Sequence, residues 1–169
     1  MADELIEIVD DNDEVVKTML RSEAAKLNLL HFRAIYVWLV NSKGELYIPV
    51  RARHKKLYPG GYDFSVAGQV SVGESYEAAF RREVMEELNF DVHEYKWREI
   101  AKLTPIKNGV ACFIKLYEVV ADIEPNFNKD DIESAEWLTP KQILLNIYSG
   151  QYFKPDIPMT LRLFYDYKK

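Results

Sequence analysis

Apolar and polar positions along this chain change over in short runs, and most of those runs carry the pattern of strands. Leu5 to Val9 and Val15 to Leu20 read as two strands, separated by Asp10-Asp11-Asn12-Asp13, whose short polar side chains favour a turn. Ala34 to Val40 is β-branched and aromatic, Asn41-Ser42-Lys43-Gly44 reverses the chain, and Glu45 to Val50 returns it, a hairpin pattern. A basic, turn-rich connection from Arg51 ends in the breaker Pro59-Gly60-Gly61, and Phe64 to Gly68 follows as a short strand. Further strands are expected around Trp97 to Leu103, Val110 to Val120 and Ala135 to Leu138, the last preceded by the acidic loop Asp130-Asp131-Ile132-Glu133.

The clearest stretch at helical spacing is Ser75 to Leu88. Phe80, Val84 and Leu88 recur every fourth residue and form an apolar stripe that must pack on a sheet. Ser75 can cap the N-terminus, Glu77 sits near the positive end of the helix dipole, and Asn89 can take the left-handed position past the C-terminus. Two helices close the chain, from about Pro140 to Tyr148 and from about Ile157 to Tyr167. Strands on both sides of a central helix, followed by late helices, predict an α/β (α+β) sandwich rather than a regular βαβ repeat. The chain shows no repeat, low-complexity tract or linker, so a single domain over residues 1–169 is expected.

Composition narrows the function classes. With 48% hydrophobic and 13% aromatic residues, the 169-residue chain can build a core, which excludes a disordered one. Twenty-seven acidic against 22 basic residues leave a net charge of -5, which argues against a nucleic-acid polymer as partner. No apolar run approaches the roughly 20 residues needed to cross a bilayer. The acidic opening MADELIEIVDDNDE is unlike a signal or transit peptide, and the lone Cys112 cannot form an intramolecular disulfide. These features lead us to expect a cytoplasmic protein without a membrane partner, as a monomer or homodimer.

Beside the apolar stripe of the central helix lie Glu83, Glu86 and Glu87, whose spacing crowds three carboxylates onto adjoining positions. Glutamate-rich helix faces are commonly just solvated. A face kept for solubility would more often intersperse lysines, however, and Arg82 offsets only part of this charge. A divalent cation such as Mg²⁺, which prefers hard oxygen ligands, resolves the repulsion. The helix is also part of a longer pattern, GQVSVGESYEAAFRREVMEELNF, spanning residues 68–90. It resembles the signature of the Nudix hydrolases, G-x5-E-x7-R-E-U-x-E-E-x-G-U with U aliphatic or aromatic. Gly68, Glu74, Arg82, Glu83, Val84, Glu86, Glu87 and Phe90 match it. Only the second glycine departs, replaced by Asn89, the residue best able to stand in for glycine in a left-handed cap.

The resemblance implies a Nudix-type α/β/α sandwich with a mixed β-sheet. It also implies that Glu83, Glu86, Glu87 and the Gly68 carbonyl hold one or more Mg²⁺ ions, with Mn²⁺ as a substitute. Such ions bridge phosphate oxygens and lower the pKa of an attacking water. Arg82 would orient the glutamates with Glu74 as its partner. The general base would be Glu83 or a carboxylate of a distant loop, for which Asp130, Asp131 and Glu133 are candidates.

Upstream, Leu30-His31 through Arg51 and then Lys55-Lys56-Leu57-Tyr58-Pro59-Gly60 are similar to the isopentenyl-diphosphate isomerase branch of the superfamily. There the positions of Arg51 and Lys55 hold a diphosphate, a task that suits both side chains. Arg53, His54 and Lys56 read as a solvated basic loop. Tyr36, Trp38, Tyr58 and Tyr62 could stack a base, although core packing explains alternating aromatics more simply. The isomerase needs a cysteine just before the box glycine and a histidine just after it, and here those residues are Ala67 and Gln69. Of the isomerase's histidines only His31 has a match, and Cys112 falls in an apolar strand pattern that predicts an inert, buried thiol. The sequence therefore favours a Mg²⁺-dependent hydrolase that cleaves the diphosphate of a small nucleotide, a nucleoside di- or triphosphate. The alternatives are an isomerase and a non-catalytic nucleotide-binding module, though such a module would normally have lost a box glutamate.

Overall fold

The computed structural model describes residues 3–29 and 31–165. Its central strand, β3 (Arg33–Val40), is apolar over nearly its whole length, as a strand covered on both faces must be. Alternate side chains feed two cores. Ala34, Tyr36 and Trp38 enter one, and Ile35, Val37 and Leu39 the other. β7 (Phe113–Val120) runs parallel to β3 along its full length, and β6 (Lys96–Leu103) pairs antiparallel with β7. On the other flank lie β4 (Leu46–Arg51) and then β8 (Ile132–Leu138), for the order β6-β7-β3-β4-β8. β1 (Leu5–Val9) and β2 (Val15–Leu20) form a separate antiparallel pair that leads into α1 (Arg21–Lys26).

α2 (Tyr76–Leu88) covers one face of the mixed sheet with Ala79, Phe80, Val84 and Leu88, and Phe80 stacks on Tyr117 with ring centroids 4.4 Å apart. Ser75 caps it by accepting the Ala78 N–H at 3.1 Å, and Asn89 ends it at φ 55°, as the sequence predicts. After the short α3 (Pro105–Asn108), α4 (Pro140–Tyr148) and α5 (Ile157–Phe164) cover the opposite face through Ile143, Ile157 and Leu161. The result is the expected α/β/α sandwich. Of the expected last helix, residues 166 and 167 lie outside the described residues.

One expectation needs correction. β3 and β4 do not form a full hairpin: they pair only at Val40 and Leu46 and then splay. β5 (Val66–Gln69) fills the gap and pairs with Ala34 to Val37. The fully buried Ser65 bridges the opening, accepting the Leu39 N–H at 2.8 Å and donating to the Tyr47 carbonyl at 2.7 Å. α1 and α3 were not anticipated, because helices of one or two turns have no apolar period to read. This insertion carries Gly68 beneath α2.

Candidate active site

Gly68, on β5, lies so close under α2 that a Cβ at this position would overlap the Glu83 carboxyl group. The Glu83 side chain is only 13% exposed, and burial raises its pKa. Arg82 ties this region together. Its Nε and Nη2 donate to the two Glu74 oxygens at 2.9 Å each, and Nη1 donates to Glu83 at 2.7 Å and to Glu86 at 3.1 Å. Nη2 also reaches the Gln69 carbonyl at 2.9 Å. Glu74 accepts the Ser71 N–H at 2.9 Å, and its pKa is lowered chiefly by the Arg82 hydrogen bonds. One guanidinium thus joins the loop, β5 and α2, a role that its planar fork of donors suits.

Next to Gly68 opens a cavity of about 340 Å³, lined by Glu83 and Glu87 of α2, by Arg51 and Lys55, and by Asp63, Asp131 and Lys154. Glu87 keeps some surface on this cavity but is otherwise enclosed by protein. Burial, reinforced by Glu83, Asp63 and Asp131, pushes its pKa well above the usual carboxylate range. No described side chain forms an ion pair or hydrogen bond with it, although Arg51 partly offsets its charge. The basic side of the cavity is itself ordered. Arg51 donates to Asp63 at 2.7 Å and to the Leu57 carbonyl at 3.0 Å, Lys154 pairs with Asp63 at 3.1 Å, and Lys55 pairs with Asp131.

The structure therefore brings together Gly68, Glu83, Glu87, Arg51, Lys55 and Asp131 from the sequence-based candidates. Tyr36 and Tyr58 line the same cavity. Arg82 and Glu74 stand behind Glu83, whereas Glu86 is more exposed and turned onto Arg82. The other loop acids are elsewhere: Asp130 is exposed, and Glu133 pairs with Arg53 at 3.2 Å. His31 faces Asp11, Trp38 lies in the core, and Tyr62 stacks on Phe153. Cys112 touches the cavity wall but is buried, which pushes its thiol up to about 12. Sequence reasoning missed Asp63, Lys154 and Asp156, along with Glu4 and Arg21 at the rim. They lie outside the motif, and a lone charge in a turn carries no signal of where the chain will return.

Among the described residues, no three His, Cys, Asp or Glu side chains converge closely enough to hold a metal ion as they stand, since Glu83 and Glu86 are both drawn onto Arg82. The chemistry of the donors still fits a hard divalent cation. Carboxylates are the ligands such ions prefer, and Glu87 supplies one whose buried charge has no partner among the described side chains.

Known proteins resemble the chain throughout. The family model described as NUDIX domain matches residues 30–156. A Nudix hydrolase of Deinococcus radiodurans is 40% identical over 165 residues, which cover 98% of this chain and 96% of that one. A crystal structure of a D. radiodurans protein, also 40% identical, matches with a TM-score of 0.92 over 96% of this chain and 100% of its own. An isopentenyl-diphosphate Delta-isomerase of Klebsiella pneumoniae is 26% identical over 145 residues, 82% of this chain and 77% of the enzyme.

Proposed function

The chain belongs to the NUDIX family and is a hydrolase of acid anhydrides, and from that premise we propose that it cleaves the diphosphate linkage of a small nucleotide with Mg²⁺ as cofactor. A nucleoside di- or triphosphate is the leading substrate class. One observation carries this reading: a single cavity holds both the Glu83 and Glu87 carboxylates and the cations Arg51, Lys55 and Lys154. Carboxylates alone would repel a polyphosphate, and cations alone would bind it without activating water. A site with both can receive an ion and its anionic substrate together.

Glu83, Glu86, Glu87 and the Gly68 carbonyl would hold the ion, which when bound neutralises phosphate charge and acidifies water. Arg82, fixed by Glu74, orients Glu83 and Glu86. Arg51 and Lys55 hold phosphate oxygens. Glu83 is the first candidate for general base, because burial moves its pKa towards neutrality, where a base works best. Asp131 is the alternative, as the loop acid that lines the cavity. A cytoplasmic setting accords with the single buried thiol.

The isomerase alternative has one point of contact, Cys112 in the cavity wall. Its burial keeps the thiol protonated, and Ala67 occupies the place where that enzyme needs cysteine. Incubation with a panel of nucleoside mono-, di- and triphosphates, with and without Mg²⁺, tests the proposal by phosphorus NMR. We expect Mg²⁺-dependent release of phosphate or pyrophosphate from a di- or triphosphate. Absence of turnover across the panel contradicts the nucleotide reading, and rearrangement of an isopentenyl diphosphate without phosphate release favours the isomerase.

A further inference from the structure

Asp63 has side-chain exposure of 3% and is shared by two cations, Arg51 at 2.7 Å on Oδ2 and Lys154 at 3.1 Å on Oδ1. Oδ1 also accepts the Phe64 N–H at 2.8 Å. One carboxylate against two cations leaves this trio with an excess positive charge inside the cavity. A lysine only 11% exposed has lost most of its hydration and depends on surroundings that can take the place of water. Lys154 has such surroundings in Asp63 and in the face of the Tyr36 ring, whose centroid is 4.2 Å from Nζ. Tyr36 in turn stacks on Phe64 with centroids 4.1 Å apart and donates to Asp156 at 3.1 Å.

The backbone holds Lys154 in this place. Its N–H donates to the Tyr62 carbonyl at 2.9 Å, and the Tyr62 N–H donates to the Tyr152 carbonyl at 2.9 Å. This ladder depends on Gly61, because a Cβ there would come within 3.0 Å of the Tyr152 ring. The segment between α4 and α5 is therefore pinned to the residues that precede β5, and it presents a cation rather than an apolar plug.

Its place beside Arg51 gives that cation its task. Arg51 and Lys154 take opposite oxygens of Asp63, and both line the same cavity as Glu83 and Glu87. Two cations on one carboxylate offer adjacent contacts to neighbouring anionic groups of a ligand. We propose that Lys154 binds a second phosphate of the substrate, adjacent to the one held by Arg51, and so selects for substrates with consecutive phosphates. Asp63 is the positioning residue that sets Lys154 and Arg51 side by side. The assignment rests on the nucleotide reading above and adds to it a residue outside the motif.

The test measures binding of imidodiphosphate, a non-hydrolysable diphosphate, by calorimetry to the wild-type protein and to Lys154→Met and Lys154→Arg, with folding checked by circular dichroism. Lys154→Met leaves the Asp63–Arg51 pair intact, so the fold should survive. We expect binding to the Met variant to be weaker by ~10- to 100-fold and to be largely restored in the Arg variant, as the loss of a charged hydrogen bond to phosphate predicts. In turnover, the loss should fall mainly on KM. Equal binding by wild type and Lys154→Met overturns the proposal, as does failure of the wild-type protein to bind imidodiphosphate. Binding that depends on Lys154 in a protein that turns over no nucleotide would instead overturn the nucleotide reading and leave the anion site standing. If Lys154→Met does not fold, Lys154→Gln decides by the same comparison.

Discussion

Glu87 is held in a way that disfavours its charged form in the metal-free fold. Its carboxyl is enclosed next to three other acids, and its pKa is raised. A carboxyl with a raised folded-state pKa binds its proton more tightly in the native than in the unfolded chain. Stability should therefore fall as pH rises from the ordinary carboxylate range through the raised value. For the metal-free protein we expect Tm to drop as pH rises above the ordinary carboxylate range, and Glu87→Gln to be flatter and more stable at the upper end, by ~2–4 °C for each kcal/mol relieved. Differential scanning calorimetry checks this, and a less stable Glu87→Gln at high pH would show that the charge is not under strain. Arg82 is the converse case, a cation whose every bond has a partner. Arg82→Lys keeps the charge but loses the fork, so kcat should fall ~10-fold or more while KM moves little.

The element that decides the site is β5. It displaces part of the expected hairpin, takes the free edge of β3, and sets Gly68 under Glu83. Gly68→Ala should lower stability by ~1–3 kcal/mol through overpacking and cut activity at least ~10-fold by moving Glu83. Denaturant unfolding and kinetics on the same sample separate the two effects, and an unchanged kcat would show that Glu83 tolerates displacement. Most of the other elements were legible. The α2 box announced its cap, its apolar stripe and its left-handed end, because each rests on a local residue choice such as Ser75, Phe80 or Asn89. The splaying of β3 from β4 was not legible, since a continuously apolar run such as residues 34–40 pairs equally well with β4 or β5. The choice falls to Ser65, a buried hydroxyl that only the assembled sheet can satisfy.

For the whole molecule, the net charge of -5 is a poor guide to the ligand, because the cavity collects Arg51, Lys55 and Lys154 from distant parts of the chain. The motif half of the site could be read from residues 68–90. The half from Asp63 and Lys154 could not, because their meeting depends on the return of the chain after α4. If the acidic half binds Mg²⁺, the ion must stabilise the native state by mass action, ~2.7 kcal/mol at a hundred times Kd. Thermal melts with and without Mg²⁺ should therefore differ in the wild-type protein and converge in Glu87→Gln. The most direct test of the account is kcat for the preferred nucleotide in wild type, Glu83→Gln and Glu87→Gln at saturating Mg²⁺. We predict a fall of at least ~10²-fold in each variant, since each loses charge stabilisation or a proton acceptor. Undiminished turnover in Glu87→Gln would contradict the account.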